Sequence, residues 1–170
     1  PLSNLDYNLK SNLRSMIKKL LKKFKTTAVI VTHDINDAME MSDKIIVIDK
    51  GKVIQKGPPD EIYNNPTSKK VALLFGKTNF IPLKMLPNSK NYFHDDETKE
   101  PFISIRPNQF IIYDKVMKCK GKIFIGKIKS LKRLASEFKL ELQCNNLLLY
   151  ISLNTSTELL IGQELKVIIP

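Results

Sequence analysis

The 170-residue sequence contains few cysteines, few aromatic residues and no long apolar run. Its two cysteines, Cys119 and Cys144, lack the close spacing of a zinc or redox motif and do not resemble a disulfide framework, so we expect two reduced thiols in core or strand positions. Apolar runs such as AVIV and IIVI are far shorter than the roughly 18 residues that cross a bilayer, and no signal-peptide pattern is present. These absences predict a soluble, non-secreted protein.

Positive charge is the strongest bias of the composition. The chain has 28 Lys and Arg residues against 17 Asp and Glu residues, which gives a net charge of +11. Such an excess can mark a partner such as nucleic acid or a lipid surface. The aromatic residues are sparse and are not interleaved with the basic runs, so a general enrichment in Lys, Asn and Ile explains the charge better.

The first part of the sequence has the order of elements of an α/β domain. Apolar residues recur at three- and four-residue steps, which predicts a helix with one apolar face: Leu9, Leu13, Met16, Ile17, Leu20, Leu21 and Phe24. The opposite face is interpreted as solvated and carries Lys10, Arg14, Lys18, Lys22 and Lys23. Residues 28–31 (AVIV) show no polar alternation, which predicts a strand covered on both sides in a mainly parallel sheet.

Shorter elements follow this strand. Asp34 is placed to cap a short helix whose inward residues are Ile35, Met39 and Ala38. Residues 45–54 predict a hairpin with its turn at Lys50 and Gly51. The pair Pro58 and Pro59, followed by two acidic residues, predicts another helix, and residues 67–76 predict a last helix that Gly76 closes.

The second part of the sequence has a different texture. Residues 82–101 are polar and rich in proline, which indicates a linker or excursion loop. His94 lies there beside Asp95 and Asp96, and ordinary solvated loop residues are favoured over a metal site. Beyond Pro101, six short segments with strand-like patterns predict a small antiparallel barrel or sandwich.

His33 is the candidate for chemistry. It follows the predicted buried strand, at the edge where open α/β sheets place ligands. A neutral imidazole there can form one hydrogen bond to a phosphate oxygen or to an attacking water. On position alone, a structural role for a single histidine at a strand end is favoured over a catalytic one.

Three sequence motifs, and the spacing between them, favour a functional role for His33 instead. PLSNLD at residues 1–6, VIVTHD at 29–34 and DKIIVIDKGKVIQKGPPDEIYNNP at 43–66 resemble the C-terminal half of the ATPase subunits of ATP-binding cassette importers, a resemblance that covers residues 1 to about 80. The resemblance implies that Ser3, Asn4, Leu5 and Asp6 form the D-loop at the nucleotide between two subunits. It also implies that His33 is the switch histidine, which contacts the γ-phosphate and helps to hold the attacking water.

Other parts of such an active site are missing from the sequence. It has no G-x-x-x-x-G-K-[ST] phosphate loop, no glutamine loop and no signature motif. In relatives the catalytic glutamate directly precedes the proline that matches Pro1. We therefore expect a C-terminal fragment that does not hydrolyse ATP alone.

The second part also carries a resemblance. ISIRPNQF at residues 103–110 and the closing IGQELKVIIP resemble the TOBE domain, a small barrel like an oligonucleotide-binding fold that follows the cassette in some importers. For Arg106 a structural ion pair or turn contact is favoured over a ligand role.

Together these points predict an α/β domain, the C-terminal part of a P-loop NTPase cassette at residues 1–80, followed at 81–170 by a linker and an all-β small barrel. The resemblance implies an ATP-hydrolysing subunit of a solute importer, with ATP and Mg in the intact subunit and no tight cofactor binding to the fragment. The implied partners are a second ATPase subunit, in a homodimer, and membrane permease subunits that hold the protein at the cytoplasmic face of the membrane. No direct nucleic-acid partner and no metal ligands in the fragment are expected. The alternatives are a non-catalytic regulatory or dimerisation module and a basic nucleic-acid-binding module.

Overall fold

The chain divides into two compact units, Pro1–Tyr63 and Asn64–Pro170. The structure is a computed structural model that describes residues 7–114, 121–135 and 137–169, with side chains described from residue 9 onward. Cys119 lies outside the described residues. In the described part of the chain, no helix combines the length and the apolar character needed to cross a membrane.

The first unit combines helices with a β-hairpin. Helix α1 spans Tyr7–Lys23, and helix α2 spans Ile35–Met41. Strands β1 (Ile45–Asp49) and β2 (Lys52–Gly57) are antiparallel, and helix α3 follows at Pro59–Asn64. The first part therefore contains both helices and strands, and the second is rich in strands, which agrees with the predicted fold class.

Helix α1 ends in a hydrogen-bonded cap that normally uses glycine. The backbone N–H of Thr26 donates to the carbonyl of Leu21 at 3.0 Å, and the N–H of Lys25 donates to that of Lys22 at 3.3 Å. Lys25 takes the left-handed conformation that this cap needs, with φ of 50°. The chain thus turns sharply away from the helix before residues 28–31.

The hairpin forms at the predicted place. Lys50 and Gly51 both have positive φ, 45° and 75°, as a two-residue turn that matches the strand twist requires. Asp49 pairs with Lys52 next to this turn, and a bulge interrupts the register after Val47. Along β1, Ile45 and Val47 are buried while the alternate residues are exposed, so one face of the hairpin packs inward.

The predicted buried strand at residues 28–31 does not form. These residues are irregular and pair with none of the described strands, and Val29 and Val31 are 90% and 92% exposed. A strand of a parallel sheet needs neighbours that supply hydrogen bonds along its edges and elements that cover its faces. Without such neighbours, the apolar composition alone does not produce a strand.

The predicted faces of α1 are also partly wrong. Arg14, which was placed on a solvated face, is only 3% exposed because that face packs against α2. The apolar face is open instead, and four large side chains on it are exposed: Leu9, Met16, Leu20 and Phe24. On α2, Asp34 caps the N-terminus as predicted, but the buried side chains are Asp37 and Met41, whereas Ile35, Ala38 and Met39 are only partly buried.

The described residues of the second unit form one α-helix, two short 3-10 helices and two antiparallel sheets. Helix α4 spans Lys69–Leu74, with Ser68 as its N-cap, and Gly76 follows it with φ of 105°. One sheet has the order β3-β5-β4, and the other has the order β6-β10-β7-β8-β9. The strands are β3 (Asn79–Pro82), β4 (Phe93–His94), β5 (Pro101–Ile105), β6 (Ile111–Ile112), β7 (Lys122–Arg133), β8 (Phe138–Cys144), β9 (Leu147–Leu153) and β10 (Glu164–Ile169).

Both sheets contribute to one apolar core. Ile81 and Ile103 from the small sheet share it with Phe124, Leu142 and Leu149 from the large sheet. All six segments predicted as strands beyond Pro101 are confirmed as β5 to β10. The predicted linker, residues 82–101, is mostly loop, with a short 3-10 helix at Leu83–Met85 and the two residues of β4.

Two predictions about single residues in this unit are confirmed. Arg106 is fully buried, and its Nη1 donates to the carbonyls of Ala72 at 2.9 Å and Gly76 at 3.3 Å, which is a structural role at the end of α4. Cys144 is a free, buried thiol on β8, and burial raises its pKa.

Candidate functional site

His33 lies in the loop that joins α1 to α2, and its side chain is exposed. This loop begins after the cap of α1 and contains the uncovered residues 28–31. His33 occupies its last bend, one residue before the N-cap of α2. The imidazole is therefore available to a ligand, in contrast to a histidine that is packed into a core.

The residues on either side of His33 are fixed by hydrogen bonds. The hydroxyl of Thr32 donates to Asp37 Oδ2 at 3.0 Å and accepts a bond from the backbone N–H of Asp34, also at 3.0 Å. Asp34 Oδ1 accepts from the backbone N–H of Asn36 at 2.8 Å, which caps α2. The backbone is thus held immediately before and after His33, although the rest of the loop pairs with none of the described strands.

Arg14 of α1 forms hydrogen bonds with two of the carboxylates next to the His33 loop. Its Nε donates to Asp37 Oδ1 at 2.6 Å, and its Nη2 donates to Asp34 Oδ2 at 3.2 Å. Its Nη1 lies 3.7 Å from Glu40 Oε1. Lys10 and Lys18 add contacts at the two ends, to Asp34 Oδ2 at 3.7 Å and to the carbonyl of Glu40 at 2.7 Å. The basic side of α1 and the acidic side of α2 are electrostatically complementary.

The pKa values follow these contacts. The hydrogen bond to Asp37 raises the pKa of the Arg14 guanidinium, against the opposing effect of burial. Burial alone would raise the pKa of Asp34, but the backbone N–H groups of Asn36 and Asp37 and the charges of Arg14 and Lys10 hold it below its ordinary value. Arg14 and Asp34 are therefore both charged at neutral pH.

The sequence gives only a partial signal for these supporting residues. Asp34, Asp37 and Glu40 recur every three residues, which puts three carboxylates on one side of a short helix. Arg14 is one of several basic residues on α1, and its charge alone does not distinguish it from its exposed neighbours. The pairing of Arg14 with residues 20 to 26 positions away depends on how the two helices pack.

The other candidate residues have different outcomes. Ser3, Asn4, Leu5 and Asp6 lie outside the described residues. His94 is exposed and stacks edge-on against Tyr92, with ring centroids 5.6 Å apart. Within the described ranges, no group of three or more His, Cys, Asp or Glu residues is arranged to hold a metal ion.

Asp95, next to His94, has a structural role. It forms an ion pair with Lys69 and accepts hydrogen bonds from Thr98 and from the backbone of Glu97. Its carboxylate thus joins α4 to the loop before β5. The pattern of one histidine and two aspartates arises here from a turn.

The chemistry open to His33 is that of a hydrogen-bonding group held at a fixed position. An imidazole can donate from one ring nitrogen and accept at the other. Because its flanking residues are already ordered, the side chain can bind a polar group with a smaller loss of conformational freedom than on an unrestrained loop. This suits contact with a phosphate oxygen or a water.

Comparison with known proteins gives the chain's relatives. A spermidine/putrescine import ATP-binding protein of Clostridium acetobutylicum is 33% identical over 156 residues, which cover 86% of this chain and 43% of the relative. One of the same name from Malacoplasma penetrans is 36% identical over 136 residues, 72% of this chain and 22% of the relative. An Fe(3+) ions import ATP-binding protein of Pectobacterium atrosepticum is 40% identical over 93 residues, 55% of this chain and 26% of the relative.

All three relatives are named as import ATP-binding proteins. Others are named for sulfate/thiosulfate import and for sn-glycerol-3-phosphate import. No family model matches the chain. The chain spans less than half the length of the relatives described here. With identities of 33 to 40% to several import ATP-binding proteins, the chain belongs to the family of ATP-binding subunits of ATP-binding cassette importers.

Proposed function

We propose that this chain is the C-terminal part of an ATP-hydrolysing subunit that drives solute import. The relatives are named as import ATP-binding proteins, which supports an ATPase as the parent. We assign the transport-coupled ATPase activity to the intact subunit, and we expect the 170-residue chain to be inactive alone.

The observation that carries the proposal is the exposed, braced His33. Its ring is open to solvent, while Thr32 and Asp34 on either side are fixed through α1 and α2. We assign to it the role of the switch histidine, a hydrogen bond to the γ-phosphate or to the attacking water. Ser3, Asn4, Leu5 and Asp6 are proposed as the D-loop, on the strength of their sequence alone.

The uncovered apolar surface of the first unit supports a larger parent domain. Residues 28–31 are exposed, and so are Leu9, Met16 and Leu20 of α1 and Phe24, which follows the helix. A run of consecutive apolar residues that is exposed along its whole length, such as residues 28–31, usually marks a surface that another part of the same protein or a partner covers. In the proposed parent, strands outside this chain pair with residues 28–31 and cover them.

Nucleotide chemistry in the parent requires more than these residues. ATP hydrolysis depends on positioning and on stabilising charge around the γ-phosphate, and His33 fits the first of these requirements as a hydrogen-bonding group. The proposal assigns the Mg²⁺ ligands and the main phosphate contacts to other parts of the subunit, because the sequence of this chain contains no G-x-x-x-x-G-K-[ST] phosphate loop.

The proposed domains, partners and location of the subunit are based on the resemblance to the same family. We propose that residues 1–80 are part of the ATPase domain and that residues 81–170 form a linker and a TOBE-like domain. The subunit would work as a homodimer on membrane permease subunits, at the cytoplasmic face of the membrane. Because the relatives are named for several different solutes, the proposal leaves the solute open.

The test is ATP turnover by the intact subunit carrying His33→Ala. We expect turnover to fall by about 100-fold, while the affinity for a fluorescent ATP analogue stays within about twofold. His94→Ala is the matched control, since His94 is the other histidine of the chain and is exposed in the second unit. Undiminished turnover in the His33 variant, or an equal loss in both variants, would remove the assigned role.

A second test concerns the uncovered segment. We expect the backbone amides of residues 28–31 to exchange with solvent rapidly in the 170-residue chain and to be strongly protected in the intact subunit. The amides of β8 serve as the control, since they are paired on both sides in this chain. Rapid exchange of residues 28–31 in both proteins would contradict the proposed strand.

A further inference from the structure

We infer that Arg14 is a positioning residue that holds the His33 loop in place through Asp37, Asp34 and Thr32. The inference rests on the proposed function of His33. It adds a residue on α1 that controls the position of the His33 loop. Among the described residues, the polar contacts of Arg14 go to Asp37, Asp34 and Glu40. The effect of Arg14 on turnover passes through the backbone on either side of His33.

The guanidinium group of Arg14 is directed at three carboxylates. Nε and Nη2 form hydrogen bonds of 2.6 and 3.2 Å with Asp37 and Asp34, and Nη1 is 3.7 Å from Glu40. The three acids lie at positions 34, 37 and 40, along the side of α2 that faces α1. Arg14 and Asp37 are both buried, so solvent screens their interaction weakly.

The contacts continue from Asp37 to both neighbours of His33. One oxygen of Asp37 binds Arg14, and the other accepts the hydroxyl hydrogen of Thr32. The oxygen of that hydroxyl accepts the backbone N–H of Asp34. The chain of bonds from Arg14 to Asp37 to Thr32 to Asp34 therefore spans His33 without using its imidazole.

The rest of the loop offers little alternative support. Residues 26–31 are exposed and form no strand. The position of the imidazole thus depends on Thr32 and Asp34. Arg14 contacts Asp34 directly and Thr32 through Asp37. Loss of the guanidinium leaves Asp37 buried with an uncompensated charge, which favours rotation of the carboxylate towards solvent and loss of its bond to Thr32.

Lysine cannot replace Arg14 in this geometry. A guanidinium presents donors in several fixed directions, whereas an ammonium group is a single compact charge on a flexible chain. Arg14→Lys keeps the positive charge, but its ammonium group can pair with only one of the three carboxylates at a time. We therefore expect it to recover only part of the loss caused by Arg14→Ala.

The test is a double-mutant cycle in the intact ATPase subunit. We expect Arg14→Ala to lower kcat by about tenfold or more, with the KM for ATP changed by less than about twofold. When His33 is already alanine, the same change is expected to lower kcat by less than about twofold, because the loss passes through His33. Lys19→Ala, an exposed change on the same helix, is the matched control and should leave kcat unchanged.

A second variant covers the case in which Arg14→Ala fails to fold. Thr32→Val keeps the size of the side chain and the pair between Arg14 and Asp37, but it removes the hydroxyl that links Asp37 to Asp34. We expect it to lower kcat in the same His33-dependent way, and Thr32→Ser to restore turnover.

The possible failures are distinguishable. Equal losses from Arg14→Ala with and without His33 would show a general structural role and overturn the inference, as would wild-type kcat in Thr32→Val. If His33→Ala itself keeps full turnover, the proposed function fails, and the inference fails with it. Large loss in His33→Ala with normal turnover in Arg14→Ala and Thr32→Val would reject the inference alone.

Discussion

The side-chain amide of Asn79 pairs with both backbone groups of Tyr150, 71 residues away in the sequence. Its Oδ1 accepts from the Tyr150 N–H at 2.7 Å, and its Nδ2 donates to the Tyr150 carbonyl at 2.8 Å. Tyr150 belongs to β9, an edge strand of the five-stranded sheet. The amide of one residue on β3 thus replaces the backbone of a neighbouring strand and fastens the small sheet to the large one.

Loss of this amide should destabilise the second unit. Asn79 is buried, and its Nδ2 also donates to the carbonyl of Ile105 at 3.1 Å. Asn79→Ala removes the side-chain partner of the half-buried N–H and carbonyl of Tyr150, so we expect the free energy of unfolding to fall by about 1–3 kcal/mol in urea titrations. Asn88→Ala, in an exposed loop, is the control and should change it by less than about 0.5 kcal/mol.

A second prediction concerns Arg106, which donates to two carbonyls at the end of α4. Arg106→Met keeps much of the volume but removes every donor of the guanidinium. We expect a loss of about 2–4 kcal/mol in the free energy of unfolding of the second unit, measured by urea titration. Lys132→Met, at an exposed position on β7, controls for the change of residue type. An equal effect of the two substitutions would argue against the assigned role.

Asp95 makes the stability of the second unit depend on pH. The hydrogen bond from Lys69, followed by those from Thr98 and the backbone of Glu97, lowers its pKa well below the ordinary value. A lowered pKa in the folded state contributes stability above the unfolded pKa of about 4, and this contribution disappears as the pH falls through the folded value. Asp95→Asn should therefore lower the melting temperature at neutral pH.

The difference in melting temperature between wild type and Asp95→Asn should shrink as the pH is lowered from about 4 towards the acid limit of the measurement. Asp96→Asn is the matched control, since Asp96 is the exposed neighbour. A constant difference across this range would contradict the ion pair with Lys69.

Gly126 provides a prediction about close packing. A Cβ atom at this position on β7 would lie 2.4 Å from the carbonyl oxygen of Gln143 and 2.8 Å from Cys144 Sγ. The contact with backbone cannot be relieved by a rotamer change, so Gly126→Ala should cost about 1–3 kcal/mol of unfolding free energy in urea. Lys127→Ala, the next and exposed residue on β7, should cost much less.

Local signals in the sequence were sufficient for much of the fold. Asp34 caps α2, Lys50 and Gly51 form the hairpin turn, and the strands beyond Pro101 occur where alternation predicts them. Each of these features depends on residues close together in the chain. The resemblance to importer ATPase subunits rested on short motifs and is confirmed by relatives at 33 to 40% identity.

Features that depend on distant residues were missed. The pattern of residues 28–31 predicts a buried strand, but burial needs neighbouring strands, and none of the described ones pairs with it. Arg14 looked like one more solvated charge, yet the packing of α1 on α2 buries it beside Asp37. For the candidate site, the role of His33 stays a prediction. The sequence predicted Asp34 as the cap of α2 but not the contacts that Arg14, Asp37 and Thr32 form around it.

The open segment at residues 28–31 has a practical consequence for work with this chain on its own. Short stretches with high β propensity, low charge and no proline are templates for intermolecular pairing when their backbone is free. Fibrous or amorphous self-association should therefore begin at this segment in concentrated solutions, and Val29→Lys or Val31→Lys should delay it.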